Sequence, residues 1–331
     1  MHVSISVPDW AAFILSDLSD WDRNPQPVTE HVRQTATWHV DLPDDVYFEY
    51  AFIDAQGEQR PDPNNDRHAD NPWFPAARVI TGPSYEPDTY AALTLSEAYV
   101  SKLGTVVRGR IESQQLGARR RYTTYTPQGY EGTALPTIYL QDGVAYYRYA
   151  KLQVVLEALI QQENLRPAHL VFIEPVSRNT DYSFNQAYWR FVTDELVPDV
   201  ERQLNCTNER VAMGASLGGF VSACIAWQNP DMFSTVITQS GAFLGTLEHK
   251  DAYKSKESWL LETLKDNDAK PLRWYLSCGT MDWLTDINRQ MADVLQSKGY
   301  EVIHTESTSG HNWVTWKNDF ARALRFALRP Y

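Results

Sequence analysis

The sequence is poor in cysteine and has none of the cysteine spacings that bind metal. It contains three cysteines, Cys206, Cys224 and Cys278, with no Cys-x-x-Cys pair and no histidine at metal-ligand spacing. Because the number of cysteines is odd and they form no recognised motif, we expect reduced thiols with mostly buried side chains. We therefore expect no metal site in this chain.

Long apolar runs and excess positive charge are also missing. No run of about 18 apolar residues occurs, which argues against a transmembrane helix, and residues 1–22 lack the basic flank and apolar core of a signal peptide. The chain has 30 Lys and Arg against 42 Asp and Glu, a formal net charge of −12. Negative charge repels nucleic acid phosphates and anionic lipids. We expect a cytoplasmic protein that binds neither nucleic acid nor membrane.

Residues 1–92 are made of short β-rich runs without a helical period. Runs such as ATWHVDLP and VYFEYAFID alternate with turn clusters such as DAQGEQ. Strands at this spacing predict a small β-sandwich. The Pro- and Asp-rich stretch TGPSYEPDTY lies near the end of this region and is the expected hinge to a second domain.

Residues 93–331 have a different pattern. After two runs that predict an antiparallel pair, apolar runs such as PTIYLQDG and AHLVFIEPV are each followed by a longer helical pattern. Near-continuous apolar strands that alternate with helices predict a mostly parallel sheet with helices on both faces. A chain of 331 residues is also long for a single hydrophobic core. We therefore expect a second domain of the α/β class over residues 93–331.

Ser216 lies between glycines where a predicted strand turns into a helix, in ERVAMGASLGGFVSA. Gly214 and Gly218 stand two residues on either side of the serine, where side chains would clash across a tight turn. Such a turn exposes the serine hydroxyl and makes the N–H of Leu217 a donor for an oxyanion. A Gly-Ser turn with a purely structural role is the alternative, since the motif alone does not separate the two.

The order of later residues favours catalysis by Ser216. An α/β-hydrolase site takes its acid and its histidine from positions after the serine, each following its own strand. His311, in STSGHNWVTW, follows the last predicted strand and is the candidate general base. Asp282 follows the strand before it, whereas Asp286 is interpreted as the N-cap of the next helix. Together these residues predict a triad in which an oriented base removes the serine proton.

Other loops supply further candidates. In YLQDGVAYY, Gly143 permits close backbone approach, Val144 N–H is the expected second oxyanion donor, and Asp142 is interpreted as a turn residue. Arg178 follows the strand AHLVFI and is interpreted either as a solvated residue or as an anchor for a substrate oxygen. The cluster Arg119 to Arg121 is interpreted as a solvated turn, with contact to an anionic substrate as the alternative.

Taken together, these motifs resemble the esterase D and enterochelin esterase group of α/β-hydrolases over about residues 105–331. The residues that carry the resemblance are YLQDG, RNTDY, ELVPDVE, RVAMGASLGGFVSA, CGTMD and SGHNWVTW, in that order. The resemblance implies an α/β-hydrolase fold and a serine carboxyl-ester hydrolase that needs no metal or organic cofactor. It also implies that Ser216, Asp282 and His311 form the triad and that the substrate is a small-molecule ester.

The first ninety residues resemble an immunoglobulin-like early-set domain, of the kind found in glycogen-binding modules and at the amino terminus of enterochelin esterases. The pattern FILSDLSDWDRNPQPV, with PDPNN further on, carries this resemblance. A sugar-binding member would be expected to expose two platform aromatics; Trp21 matches one position, whereas Gln59 occupies the other. Glycan binding through Trp21 is therefore one interpretation. Packing of Trp21 against the sandwich face or the hydrolase domain is the other.

Several functions remain open on the sequence. A general carboxylesterase or sugar-ester esterase is the first, and an enterochelin-type siderophore esterase is the second. The siderophore reaction calls for a basic pocket, for which Arg178 and Arg119 to Arg121 are the candidates in an acidic chain. A non-catalytic or glycan-binding protein on a hydrolase scaffold is the third, and the intact Ser-Asp-His order argues against it. Acyl transfer to a sugar rather than to water is compatible with the same residues.

Overall fold

The computed structural model describes residues 1–69, 71–96, 103–252 and 254–329, which divide into two compact units. The first unit contains residues 1–87 together with the segments 278–285 and 306–316. The second contains residues 88–277, 286–305 and the chain from 317 onward. The expected boundary of a first domain at residue 92 stays a prediction.

Two antiparallel sheets form the first unit. Their strands are β1 His2–Ser6, β2 Ala11–Ser16, β3 Gln26–Pro27, β4 Thr37–Asp41, β5 Tyr47–Asp54, β6 Gln59–Arg60 and β7 Arg78–Thr81. One sheet pairs β1 with β4, and the other has the order β3-β2-β5-β6 with β7 paired to β5.

The alternation of apolar residues explains why these two sheets pack together. Successive side chains of a strand point to opposite faces, so each sheet presents one apolar face. Ile5 and Val40 from the smaller sheet share a buried cluster with Ile14, Phe48 and Phe52 from the larger one. The predicted β-sandwich is confirmed.

Two short helices occur where the sequence shows no helical period. Helix α1, Glu30–Thr35, is capped by Thr29, whose side chain accepts the N–H of Val32 at 3.3 Å. Helix α2, Thr89–Leu93, begins after Asp88, which caps it in the same way. Capping residues stabilise such single turns, which are too short to show a period of 3.6 residues.

The second unit is built on a mixed sheet. Its strands are β8 Thr105–Ser113, β9 Ala118–Thr126, β10 Leu135–Leu140, β11 His169–Glu174, β12 Cys206–Ala215, β13 Thr235–Gln239, β14 Arg273–Gly279 and β15 Glu301–Ser307. Their order in the sheet is β15-β14-β13-β12-β10-β11-β9-β8. The strands from β11 through β10, β12 and β13 to β14 are parallel, and β8 and β9 form the predicted antiparallel pair.

Helices connect the parallel strands, as the alternating pattern predicts. They are α3 Leu152–Glu163, α4 Arg178–Tyr182, α5 Gln186–Arg190, α6 Val197–Gln203, α7 Leu217–Gln228, α8 Trp259–Asp266, α9 Thr285–Ser297, α10 Trp313–Lys317 and α11 Phe320–Ala327. Helix α7, which follows Ser216, is buried from Leu217 to Trp227, in keeping with a helix that is apolar all round. No helix in the described ranges is both long and apolar enough to cross a membrane.

Candidate active site

Ser216 occupies the turn between β12, which ends at Ala215, and α7. Its φ of 55° and ψ of −125° lie outside the regions that L-residues ordinarily adopt. Its N–H donates to the carbonyl of Gln239 at 2.8 Å, and its carbonyl accepts the N–H of Ala242 at 3.0 Å. A backbone of this kind costs on the order of 1–3 kcal/mol, and the two hydrogen bonds to the chain around the end of β13 hold it in place.

The glycines around Ser216 are required by the tightness of this turn. A Cβ atom on Gly214 would overlap the carbonyl group of Gly218, and a Cβ on Gly218 would lie 2.9 Å from Asp142 Oδ2. The expected clash across the turn is confirmed. Because backbone meets backbone at Gly214, no side-chain rearrangement could relieve the overlap there.

Two backbone N–H groups near this turn are available as donors. Leu217 N–H belongs to the first residue of α7, where a helix offers no internal acceptor. Val144 follows Asp142, which has φ 55°, and Gly143, whose Cβ would overlap the backbone of Phe172 in β11. Within the part of the chain that the structure describes, neither Leu217 N–H nor Val144 N–H donates a hydrogen bond.

Arg178, the first residue of α4, connects the turns at Asp142 and Ser216. Its Nε and Nη2 donate to the two carboxylate oxygens of Asp142, each at 2.9 Å. Nη2 also donates to the carbonyl of Ala215 at 3.2 Å. The guanidinium therefore holds the loop that carries Val144 and the residue that precedes Ser216. No pattern in the sequence indicates this pairing, and direct contact between Arg178 and substrate stays a prediction.

Asp282 and His311 form a hydrogen-bonded pair in the first unit. His311 Nδ1 lies 2.8 Å from Asp282 Oδ2, and the other carboxylate oxygen accepts the N–H of Leu284 at 2.9 Å. The Asp282 side chain is fully buried and that of His311 is 14% exposed. A carboxylate at Nδ1 selects the tautomer that carries its proton there, which leaves Nε2 as a base.

The alternative acid, Asp286, is placed differently. It lies within the first turn of α9 and its side chain is 90% exposed. The expectation that Asp286 is the N-cap is therefore wrong, because α9 begins at Thr285 and Asp286 is the second residue of the helix. A carboxylate in the first turn still interacts favourably with the helix dipole.

Trp21 is a core residue of the first unit. It is 5% exposed, its ring stacks on Phe74 with centroids 4.3 Å apart, and its Nε1–H donates to Asp17 Oδ1 at 2.9 Å. A sugar-binding platform needs its ring in solvent, so the interpretation of Trp21 as such a platform is wrong. Its packing against the sandwich is the interpretation that holds.

The basic cluster lies in β9, where Arg120 is buried and Arg119 and Arg121 are exposed. Arg120 is buried, and its two terminal nitrogens donate to the carboxylate of Asp181 at 2.8 and 3.1 Å. Arg119 pairs with Glu112 on the neighbouring strand. The sequence interpretation was wrong for Arg120, because alternate residues of β9 face the interior.

A cavity of about 780 Å³ lies against Leu217 in the second unit. Its charged lining residues are Lys250 and Asp251, which have opposite signs. The other polar lining residues carry amide or hydroxyl groups: Asn179, Thr180, Ser183, Asn185 and Gln186. The rest of the described lining is apolar: Phe184, Leu217, Leu247 and Ala252. The wall therefore mixes apolar and neutral polar groups with two opposite charges, and the size of the cavity suits a small-molecule ligand.

The described residues offer no arrangement for a metal ion: no group of three or more His, Cys, Asp or Glu side chains is placed to hold one. Cys206, Cys224 and Cys278 are not joined in disulfides. Cys224 and Cys278 are buried and Cys206 is partly exposed, in keeping with the prediction of mostly buried side chains.

Comparison with known proteins identifies one matching family. Residues 113–327 match the model of the Esterase family, described as "Putative esterase". A curated relative, the iron(III) enterobactin esterase of Dickeya dadantii (strain 3937), is 27% identical over 232 residues. These residues are 66% of this chain but 53% of that protein, so the chain spans about half the length of this relative.

Solved structures show the same fold. The crystal structure of the enterobactin esterase from Shigella flexneri in the presence of enterobactin has a TM-score of 0.73 at 19% identity, over 98% of this chain and 91% of that one. A ferulic acid esterase has a TM-score of 0.58 at 20% identity, over 69% of this chain and 98% of that one. The α/β-hydrolase fold preceded by a β domain is confirmed, as is the resemblance to the enterochelin esterase group.

Proposed function

The chain belongs to the Esterase family, and on that basis we propose that it is a serine carboxylester hydrolase that acts through an acyl-enzyme. The observation that carries the proposal is the backbone of Ser216, a non-glycine residue held at φ 55° between a strand and a helix. Strain of this kind persists where the surrounding structure enforces it, and it is concentrated at functional sites. A turn with only a structural role would be served better by glycine at this position.

The Asp282–His311 pair supports the choice of base. In the proposed mechanism His311 Nε2 takes the proton of Ser216, whose Oγ attacks the ester carbonyl and forms a tetrahedral oxyanion. The N–H groups of Leu217 and Val144 donate to that oxyanion. His311 then returns the proton to the leaving alcohol, and water attacks the acyl-enzyme by the same route with His311 as base again. Asp282 keeps the imidazole oriented and stabilises its protonated form.

The charge of the cavity beside Leu217 bears on the substrate. Its amide and hydroxyl groups suit an ester with neutral polar substituents, such as hydroxyl groups of a sugar or a phenol. Lys250 and Asp251 contribute opposite charges, so the wall offers no net attraction for an anion. The cations Arg178 and Arg120 are each engaged by an aspartate, Asp142 and Asp181. We therefore favour an uncharged small-molecule ester.

A siderophore ester is the second candidate. It is favoured by the similarity of the chain to enterobactin esterases, among them the Shigella flexneri enzyme, whose structure aligns with 98% of this chain. A ferric catecholate trilactone is strongly anionic, and the near-neutral cavity described above argues against it. A non-catalytic role is less favoured, because the serine, the acid and the histidine are all retained.

Hydrolysis of short p-nitrophenyl esters tests the proposal, with Ser216→Ala as the control. We expect turnover by the wild-type chain and a loss of at least about 10³-fold in the variant, because the nucleophile is absent. Wild-type rates in folded Ser216→Ala protein would contradict the proposal. A parallel assay with a ferric catecholate trilactone separates the candidates: no turnover removes the siderophore ester, and faster turnover than of neutral esters removes our first choice.

A further inference from the structure

Asp17 is a buried carboxylate of the first unit that the proposed mechanism does not use. It directly follows β2 and is 3% exposed. Its Oδ1 accepts the Nε1–H of Trp21 at 2.9 Å and its Oδ2 accepts the N–H of Glu49 at 2.8 Å. Burial raises the pKa of Asp17 to about 7 despite these hydrogen bonds. A carboxylate is costly to bury, so its position calls for an explanation.

The Asp17 carboxyl group lies against Gly310, the residue before His311, and is near the amide of Asn312, the residue after it. A Cβ atom on Gly310 would overlap the Asp17 side chain, so the segment passes the carboxyl group at a distance that only glycine allows. The amide of Asn312 lies close enough to stabilise the ionised carboxylate. Because Gly310 and Asn312 are the neighbours of His311 in the chain, these contacts fix the backbone on each side of the imidazole.

The residues before Gly310 are bound to the same sheets. Tyr47 N–H, at the start of β5, donates to the carbonyl of Thr308 at 3.0 Å. Thr308 Oγ1 donates to Asp45 Oδ2 at 2.9 Å. The segment from Thr308 to Asn312 is therefore anchored on the sandwich at its start by β5 and around His311 by Asp17.

The segment is also braced from within by hydroxyl and amide groups. Thr315 Oγ1 lies 2.7 Å from Ser309 Oγ and donates to the carbonyl of Gly310 at 2.9 Å. Asn312 Oδ1 accepts the N–H of Thr315 at 2.9 Å. A segment that is rigid by itself transmits a displacement at Gly310 or Asn312 to His311, so the position of Asp17 bears directly on the imidazole.

We propose that Asp17 is a positioning residue for His311: by packing against Gly310, the residue before His311, it sets the place of the imidazole that pairs with Asp282. The amino-terminal sheets are then part of the machinery that holds the base, rather than a separate binding module. This inference rests on the proposed function, because it takes His311 to be the base.

The variant Asp17→Asn tests this role, with Asp62→Asn as the matched control. Asp62 is also 3% exposed in the first unit, but its carboxylate accepts Tyr50 Oη–H at 2.7 Å and the N–H of Asn64 at 2.8 Å. In Asp17→Asn the side-chain NH2 must face the N–H of either Trp21 or Glu49, which displaces the side chain from Gly310. We expect this variant to lower kcat about 10- to 100-fold with KM changed less than about twofold, since misplacement of about 1 Å costs on that order. Asp62→Asn should leave kcat unchanged.

A spectroscopic readout keeps the proposal testable without catalysis. In Ser216→Ala protein, proton NMR should show the low-field proton shared by His311 Nδ1 and Asp282, and Asp17→Asn should weaken or broaden it. Trp21→Phe, which removes one donor to Asp17 but keeps a ring to stack on Phe74, should act in the same direction to a smaller extent. It serves in place of Asp17→Asn if that variant does not fold.

The outcomes separate this inference from the proposed function. If folded Asp17→Asn protein keeps the wild-type kcat and an unchanged low-field proton, the positioning role is refuted. If Asp62→Asn lowers kcat as much as Asp17→Asn does, the effect belongs to buried acids in general and the role is refuted too. If no ester hydrolysis depends on Ser216, the proposed function falls, and a proton signal that depends on Asp17 would still support the contact.

Discussion

The turn at Ser216 and the segment at His311 are held in place by different kinds of contact. The serine is held by backbone alone: glycines at 214 and 218 permit the turn, and hydrogen bonds to Gln239 and Ala242 keep it strained. The histidine is held by side chains from distant parts of the sequence, Asp282 and Asp17. The first arrangement is compact in sequence and leaves a motif. The second is spread over the chain, so no single stretch of sequence contains all of its members.

The largest effect should come from breaking the pair at His311. Asp282→Asn keeps the shape of the side chain but turns an acceptor into a group that no longer selects the Nδ1–H tautomer. We expect kcat for ester hydrolysis to fall about 10⁴-fold. Asp286→Asn is the matched control in the same stretch, and because Asp286 is exposed it should lose less than about twofold. Equal losses in the two variants would refute the assignment of the acid.

An intermediate effect is expected on stability, through Asp17. Because burial raises the pKa of Asp17 from 3.8 to about 7, the folded protein keeps a proton that the unfolded chain has released at mildly acidic pH. Stability from this residue is therefore present at low pH and is lost as the pH rises through about 7. Relative to Asp17→Asn, the wild-type free energy of unfolding should fall by about 3 kcal/mol between pH 5 and pH 8.

Urea unfolding of both proteins across this pH range measures that difference. The charge of Asp282 also raises the pKa of Asp17, so the difference between the two proteins reports the titration of Asp17 together with its interaction with Asp282. If the difference in free energy of unfolding between the two proteins does not change with pH, Asp17 is ionised throughout the range. The contact with the His311 segment would then have to be judged by the NMR signal alone.

The smallest effect should come from the Ser216 side, at Arg178. Lysine offers a point charge in place of the two-pronged contact with Asp142, so Arg178→Lys should lower kcat about tenfold with KM nearly unchanged. Asp142→Asn should produce a similar loss, and the double variant should lose less than the product of the two, because the residues share one interaction. A selective rise in KM for Arg178→Lys would instead support direct contact between Arg178 and the substrate.

Features that depend on local sequence patterns could be predicted, whereas contacts between distant segments could not. The parallel sheet and the turn at Ser216 depend on local patterns, apolar runs and glycine spacing, and both were predicted. The pairing of Arg178 with Asp142 joins residues 36 positions apart, and the sequence pattern suggested separate roles for them. The burial of Trp21 on Phe74 and the approach of Asp17 to Gly310 depend on packing between distant segments. No spacing rule reports such contacts.

Labelling of Ser216 by a fluorophosphonate, read out by peptide mass spectrometry, tests the proposed nucleophile and base together. We expect a single adduct, on the peptide that contains Ser216, formed by folded wild-type protein. The adduct should form at least about 10²-fold more slowly in His311→Ala, because an unassisted serine hydroxyl is a poor nucleophile. An unlabelled Ser216 in folded protein, or labelling that is as fast without His311, would contradict the proposed nucleophile and base.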